Sequence, residues 1–175
     1  MSLDFLFRTD EFKALASAVA SPERPLSVHG AIEPAKPYLL ACLARASGRP
    51  IVFIRAESAP LAPIEQDCRF YLSRLAPDAS LATLAPLSDN PYFEVPPALD
   101  TVSSRMKLFR RLLGQAPAIT VTSLGGLLKP VPAPDDMGRL FVTLETGCEA
   151  DHAALLETLS RFGYTKDDLI ASAGE

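Results

Sequence analysis

Short apolar runs alternate with longer stretches of helical period along this chain, and that alternation confines it to an α/β fold, a parallel sheet with helices on both faces. Leu26-Ser27-Val28-His29, Ile51 to Arg55, Leu81 to Ala85 and Ala118 to Thr122 read as strands. Asp10 to Ala20 carries Phe12, Leu15, Ala16 and Val19 on one helical face, with Asp10 placed to cap it. Pro34 to Ala46 reads as the next helix, with Pro34 and Pro37 in or near a first turn that has N–H groups to spare. With its flanking strands it makes a βαβ unit. A helix from Pro60 to Leu75 presents Leu61, Ile64, Cys68, Tyr71, Leu72 and Leu75 on one side. Asp100 or Thr101 caps a helix to Leu113, with Val102, Met106, Phe109 and Leu113 as its buried stripe. Leu124 to Leu128 forms a helical turn after the last strand.

Lys129 to Asp136, stiffened by three prolines, is expected to be a linker. Beyond it the pattern predicts a strand at Leu140 to Leu144, a helix from about Asp151 to Phe162 stopped by Gly163, and a short run at Asp168 to Ala171. These pieces are too few to bury both faces of a sheet of their own. The organisation read here is therefore an α/β domain over 1–130 and, over 131–175, a linker with the first part of a second small α/β domain.

With 175 residues, 48% of them hydrophobic, the chain can bury one sizeable core. A formal charge of −4 argues against a free-standing nucleic-acid binder, whose affinity comes largely from neutralising phosphates. Arg105, Lys107, Arg110 and Arg111 would make a polybasic DNA contact, but an ordinary solvated helix face is the plainer reading. The three cysteines, Cys42, Cys68 and Cys148, have no C-x-x-C spacing and read as reduced, partly buried thiols. His29 and His152 lie too far apart in sequence to suggest zinc, and no metal site is expected. No apolar run approaches the roughly 20 residues of a membrane span, and no secretory signal opens the chain, so a cytoplasmic location is expected.

One segment has a chemical outline. Gly30-Ala31-Ile32-Glu33-Pro34-Ala35-Lys36-Pro37 has the length and flanks of the phosphate-binding motif G-x-x-x-x-G-K-[ST], between an expected strand and an expected helix. A working loop of this kind wraps phosphates in backbone N–H groups, sets a lysine on the outer phosphates and holds magnesium through a Ser or Thr hydroxyl. Here Pro34 and Pro37 have no N–H, and Pro37 replaces the hydroxyl. Ala35 stands at a glycine position, and Glu33 brings negative charge towards a polyanion. Lys36 alone remains. Alternatively the match is accidental. On either view the loop of Gly30, Glu33, Pro34, Ala35, Lys36 and Pro37 is expected not to bind nucleotide, and no cofactor and no catalytic residue are assigned.

The order of further segments carries a family resemblance. Val28 to Leu43, Gly48-Arg49-Pro50-Ile51-Val52-Phe53-Ile54, Gln66-Asp67-Cys68-Arg69-Phe70-Tyr71-Leu72, Asn90-Pro91-Tyr92, Asp100-Thr101-Val102-Ser103-Ser104-Arg105-Met106, Phe162-Gly163-Tyr164, Asp168-Leu169 and Gly174-Glu175 succeed one another along the chain. In that order they resemble the N-terminal, UvrB-like region of the bacterial transcription-repair coupling factors (Mfd). The resemblance implies a P-loop-NTPase-like fold, a degenerate form of UvrB domain 1a, followed by the opening of a UvrA-binding type domain, with Gly174-Glu175 leading into another strand. It implies a parent protein that is an ATP-dependent DNA translocase, displaces stalled RNA polymerase and recruits UvrA for nucleotide excision repair. The fragment itself would be a non-catalytic scaffold that docks other domains of its own chain. UvrA contacts are expected beyond Glu175, and RNA polymerase and DNA would meet the rest of the parent; no membrane partner is expected. Tyr92 and Phe93 are a possible contact surface, against packing back on the sheet. Two rivals stand beside this reading: a stand-alone α/β enzyme using Lys36 or a cysteine, which would need a base near its nucleophile, and a UvrB-type helicase half that binds nucleotide.

Overall fold

The computed structural model describes residues 3–21, 25–56, 60–87, 98–147 and 149–164. The chain divides into two compact units, Met1–Val131 and Pro132–Glu175. In the first, the described elements are α1 (Asp10–Ala20), α2 (Lys36–Ser47), β1 (Ile51–Arg55), α3 (Leu61–Leu75), β2 (Leu81–Leu84), α4 (Leu99–Leu113), β3 (Ile119–Ser123) and α5 (Leu124–Leu128). The fold is α/β.

The three strands form a parallel sheet in the order β1-β3-β2, with Ile51 and Leu81 both in register with Ile119. The last strand in sequence is thus the central one, and all five of its residues are buried. A strand covered on both faces reads as a near-continuous run of branched residues, as Ile119-Thr120-Val121-Thr122 does. Its polar members are satisfied: the Thr122 hydroxyl donates to Leu84 O at 2.8 Å.

The crossover through α3 carries the chain from β1 past β3 to β2, and the one through α4 carries it back to β3. Right-handed connections running in opposite directions place α3 and α4 on opposite faces. Packing agrees. Ile119, Val121 and Leu81 join Phe12 of α1, Leu40, Ala41, Cys42 and Ala44 of α2, and Ile64, Cys68, Leu72 and Leu75 of α3 in one core. Burying Ile119 and Val121 completely is worth about 1.5–3 kcal/mol each. On the opposite face Val52 and Ile54 of β1 stay 55% and 51% exposed.

Several local expectations need correction. Residues 25–29 form no strand, and Leu26 and Val28 remain 47% and 51% exposed. A run this short gains from extension only by pairing with a neighbour and burying its apolar side chains, and here it does neither. The cap of α1 is Thr9, whose hydroxyl accepts the Phe12 N–H at 3.3 Å, while Asp10 sits in the first turn paired with Lys13. The buried residues of α4 are Arg105 and Leu108; Val102 and Leu113, expected inside, are exposed. The helix is turned by one position because Arg105 reaches inward for carbonyl oxygens. The helix expected from Pro34 begins as a 3-10 turn at Glu33–Ala35 and becomes α-helical at Lys36. It stops at Gly48, whose φ of 60° suits glycine.

The second unit contains α6 (Pro134–Gly138) and α7 (His152–Arg161). The Asp151 carboxylate caps α7, accepting from the N–H groups of Ala153 and Ala154 at 2.9 and 3.2 Å. Its other end closes through Gly163, at φ 90°, with Tyr164 N–H donating to Leu159 O at 3.1 Å. The strand expected at Leu140–Leu144 is absent, because among the described residues no second strand lies in this unit for it to pair with. The run at 168–171 lies outside the described residues.

Candidate functional site

In parallel α/β sheets ligands bind beyond the carboxyl ends of the strands, so that edge is where the loop at 30–37 has to be judged. The loop does reach it. The Glu33 carboxylate pairs with Arg55, the last residue of β1, at 3.3 Å, and Arg55 also donates to Pro60 O at 2.8 Å. The same carboxylate pairs with Lys36. Lys36 and Arg55 both lie at the loop, and one acidic side chain pairs with both. This arrangement, with the Lys36 hydrogen bond foremost, pulls the Glu33 carboxyl below the ordinary glutamate value of 4.5.

Backbone donors fare no better. Ala35 N–H donates to Ile32 O at 2.9 Å, and Lys36 N–H donates to Glu33 O, closing the 3-10 turn. Pro34 and Pro37 have none to offer. From 34 to 37, therefore, every amide is either absent or spent inside the turn. Gly30 has the positive φ, 82°, that a loop-opening glycine permits, and a Cβ placed on it would meet no other atom within 4 Å. Ala35 adopts an ordinary helical conformation, φ −86° and ψ −18°, where a working loop has glycine.

The hollow beside the loop holds about 190 Å³ and is lined by Glu33, Pro34, Pro37, Arg55, Pro63, Ile64 and Asp67. Small-molecule sites usually offer about 300–1,000 Å³. Two carboxylates against Arg55 leave it without the positive surplus that attracts a triphosphate. The strand that should precede a phosphate loop is missing at 25–29; the helix that should follow it is present as α2.

Arg105 is the residue that sequence reasoning misplaced most. It is 4% exposed and donates to Ala85 O at 2.7 Å and to Gly126 O at 3.4 Å, with its guanidinium 5.5 Å from the centre of the Phe109 ring. It ties the end of β2 to α5. Burial lowers its pKa. An arginine four residues before Phe109 on an amphipathic helix gives no sequence signal for this role. Lys107, Arg110 and Arg111 do lie on the exposed side of α4.

Cys42 and Cys68 are wholly buried, beyond the partial burial expected of them, and burial pushes both thiols up to about 11. Such thiols stay protonated at neutral pH and are poor nucleophiles. His29 is exposed beside the loop, and His152 opens α7. Among the described residues no three His, Cys, Asp or Glu side chains gather as metal ligands would, and no helix is long and apolar enough to cross a membrane. Tyr92, Phe93 and Cys148 lie outside the described residues. A comparison with protein-family models finds no match for this chain, and neither does a comparison with curated proteins.

Proposed function

We propose that this chain is a non-catalytic scaffold and docking module, the UvrB-like N-terminal region of a transcription-repair coupling factor, built on a phosphate loop that no longer holds nucleotide. Support for the loss comes from one observation above all: between residues 34 and 37 no amide N–H is free, while the Glu33 carboxylate pairs with both Lys36 and Arg55. Support for the ancestry comes from the ordered segments of the sequence and from a loop that still lies at the carboxyl edge of a parallel sheet, directly ahead of a helix. A P-loop-like origin accounts for the Gly30 to Lys36 spacing; an accidental turn has no reason to keep it.

In this reading the parent protein is the motor, an ATP-dependent DNA translocase that displaces stalled RNA polymerase and recruits UvrA. The present module carries the recruiting region and docks against other domains of its own chain. The half-exposed Val52 and Ile54 on β1 suit a scaffold whose apolar surface is covered in the assembled protein. Isothermal titration of the 175-residue chain with Mg-ATP is expected to show no binding at millimolar nucleotide. A micromolar dissociation constant that Lys36→Ala abolishes would overturn the reading.

A further inference from the structure

The outer edge of β2 lies in a groove that no other described element fills. Ser80 O accepts from the N–H groups of Ala118 and Ile119 at 2.9 and 3.3 Å, which turns Ser80 towards β3. Backbone groups alternate sides along a strand, so Ala82 and Leu84 also face β3 while Leu81 and Thr83 direct their N–H and C=O outwards. Among the described residues β2 has no second neighbour in the sheet. Beside this edge α3 and α4 stand on opposite faces and form the walls of a hollow of about 320 Å³. Its floor is Leu81, Ala82 and Thr83; Arg69 and Glu65 line one wall, and Lys107 and Arg111 the other.

The charges on these walls are unequal. Among the described residues Glu65 is the sole carboxylate lining the hollow, and it is engaged twice, by Arg69 at 2.7 Å and by the Thr83 hydroxyl at 2.7 Å. Lys107 and Arg111 are exposed and face it from α4. The chain as a whole carries −4, so this surplus of positive charge is local and opposite in sign to the rest. Cations beside an open edge repel a second copy of the same strand, which protects against self-pairing. An acidic strand meets attraction instead of repulsion.

The geometry points to the β2 edge as a docking site for an extended acidic peptide segment of a partner, added to the sheet as a further strand. Leu81 and Thr83 supply the ladder hydrogen bonds, and Lys107 and Arg111 select for carboxylates. Nucleic acid would use the cations but would leave the backbone groups of Leu81 and Thr83 unused, so a peptide fits more of what the groove offers.

The test uses the full chain, a labelled ten-residue peptide of alternating glutamate and valine, and a control in which lysine replaces glutamate. Fluorescence anisotropy is expected to detect the acidic peptide and not the basic one, with binding weakening as salt rises. Lys107→Glu with Arg111→Glu, both at exposed positions, is expected to weaken it on the order of tenfold or more. Amide exchange at Leu81 and Thr83, followed by NMR, is expected to slow on binding. Loss of acidic-peptide binding altogether, binding indifferent to the charge reversals, or binding without protection at Leu81 and Thr83 would each refute strand addition. Displacement of the peptide by a short DNA duplex at equal or lower concentration would assign the groove to nucleic acid and refute it likewise.

Discussion

Glu33 sits at the pivot of the candidate site, and its ionisation is directly measurable. Because its carboxyl is held below 4.5 in the folded chain, the attraction to Lys36 and Arg55 is fully present above that value. It is lost as pH falls through the depressed folded value. An NMR titration is expected to place the Glu33 midpoint under 4.5 and to show it rising in Lys36→Ala; a midpoint unaffected by that change would contradict the pairing. Arg105 makes the opposite kind of contribution, from inside. Arg105→Ala strips the donor from Ala85 O and Gly126 O and is expected to cost about 1–3 kcal/mol in urea unfolding. A purely solvated arginine would change stability by less than about 0.5 kcal/mol. The loop's chemical poverty is legible in the sequence, since proline at 34 and 37 and glutamate at 33 state it outright. What could not be read is where Arg105 points. A charged residue on a helix is assigned to solvent unless the carbonyl oxygens that await it are known, and those come from residues 20 and 21 positions away.

At the level of elements, the long helices and the strands at Ile51 and Ile119 follow from periodicity alone, because each buries enough apolar surface to outweigh local alternatives. Leu26–Val28 and Leu140–Leu144 have the same local look and form no strand; extension is stabilised by a neighbour, and a single segment does not reveal whether it has one. The junction of β3 and α5 shows how tightly elements can meet. A Cβ on Gly126 would fall 2.4 Å from Thr122 Oγ1 and 2.9 Å from Leu84 O. Gly126→Ala is therefore expected to destabilise by about 1–3 kcal/mol through overpacking, with a lower midpoint in thermal or urea unfolding. Unchanged stability would mean that α5 can move off the sheet without penalty. The helical turn expected at Leu124 to Leu128 is present as α5, but the Gly125-Gly126 pair does not tell in sequence that Gly126 is needed for close approach to Leu84 O.

Across the molecule, the main core joins residues from Phe12 to Val121, all within the first unit. A chain ending after Val131 is accordingly expected to unfold cooperatively with the far-UV signal of the α/β unit intact; gradual, non-cooperative melting would show that the core depends on residues 132–175. The two thiols inside that core provide a second readout. Native protein is expected to leave Cys42 and Cys68 unmodified by iodoacetamide at neutral pH, while denaturant exposes both to labelling within minutes. The strand order has a consequence for biosynthesis. Ile51–Arg55 and Leu81–Leu84 are made first, but the partner they share, Ile119–Ser123, leaves the ribosome last of the three. Until it emerges neither earlier strand has its pairing surface, and a nascent chain arrested short of residue 119 must carry both as unpaired, sticky segments in need of a chaperone.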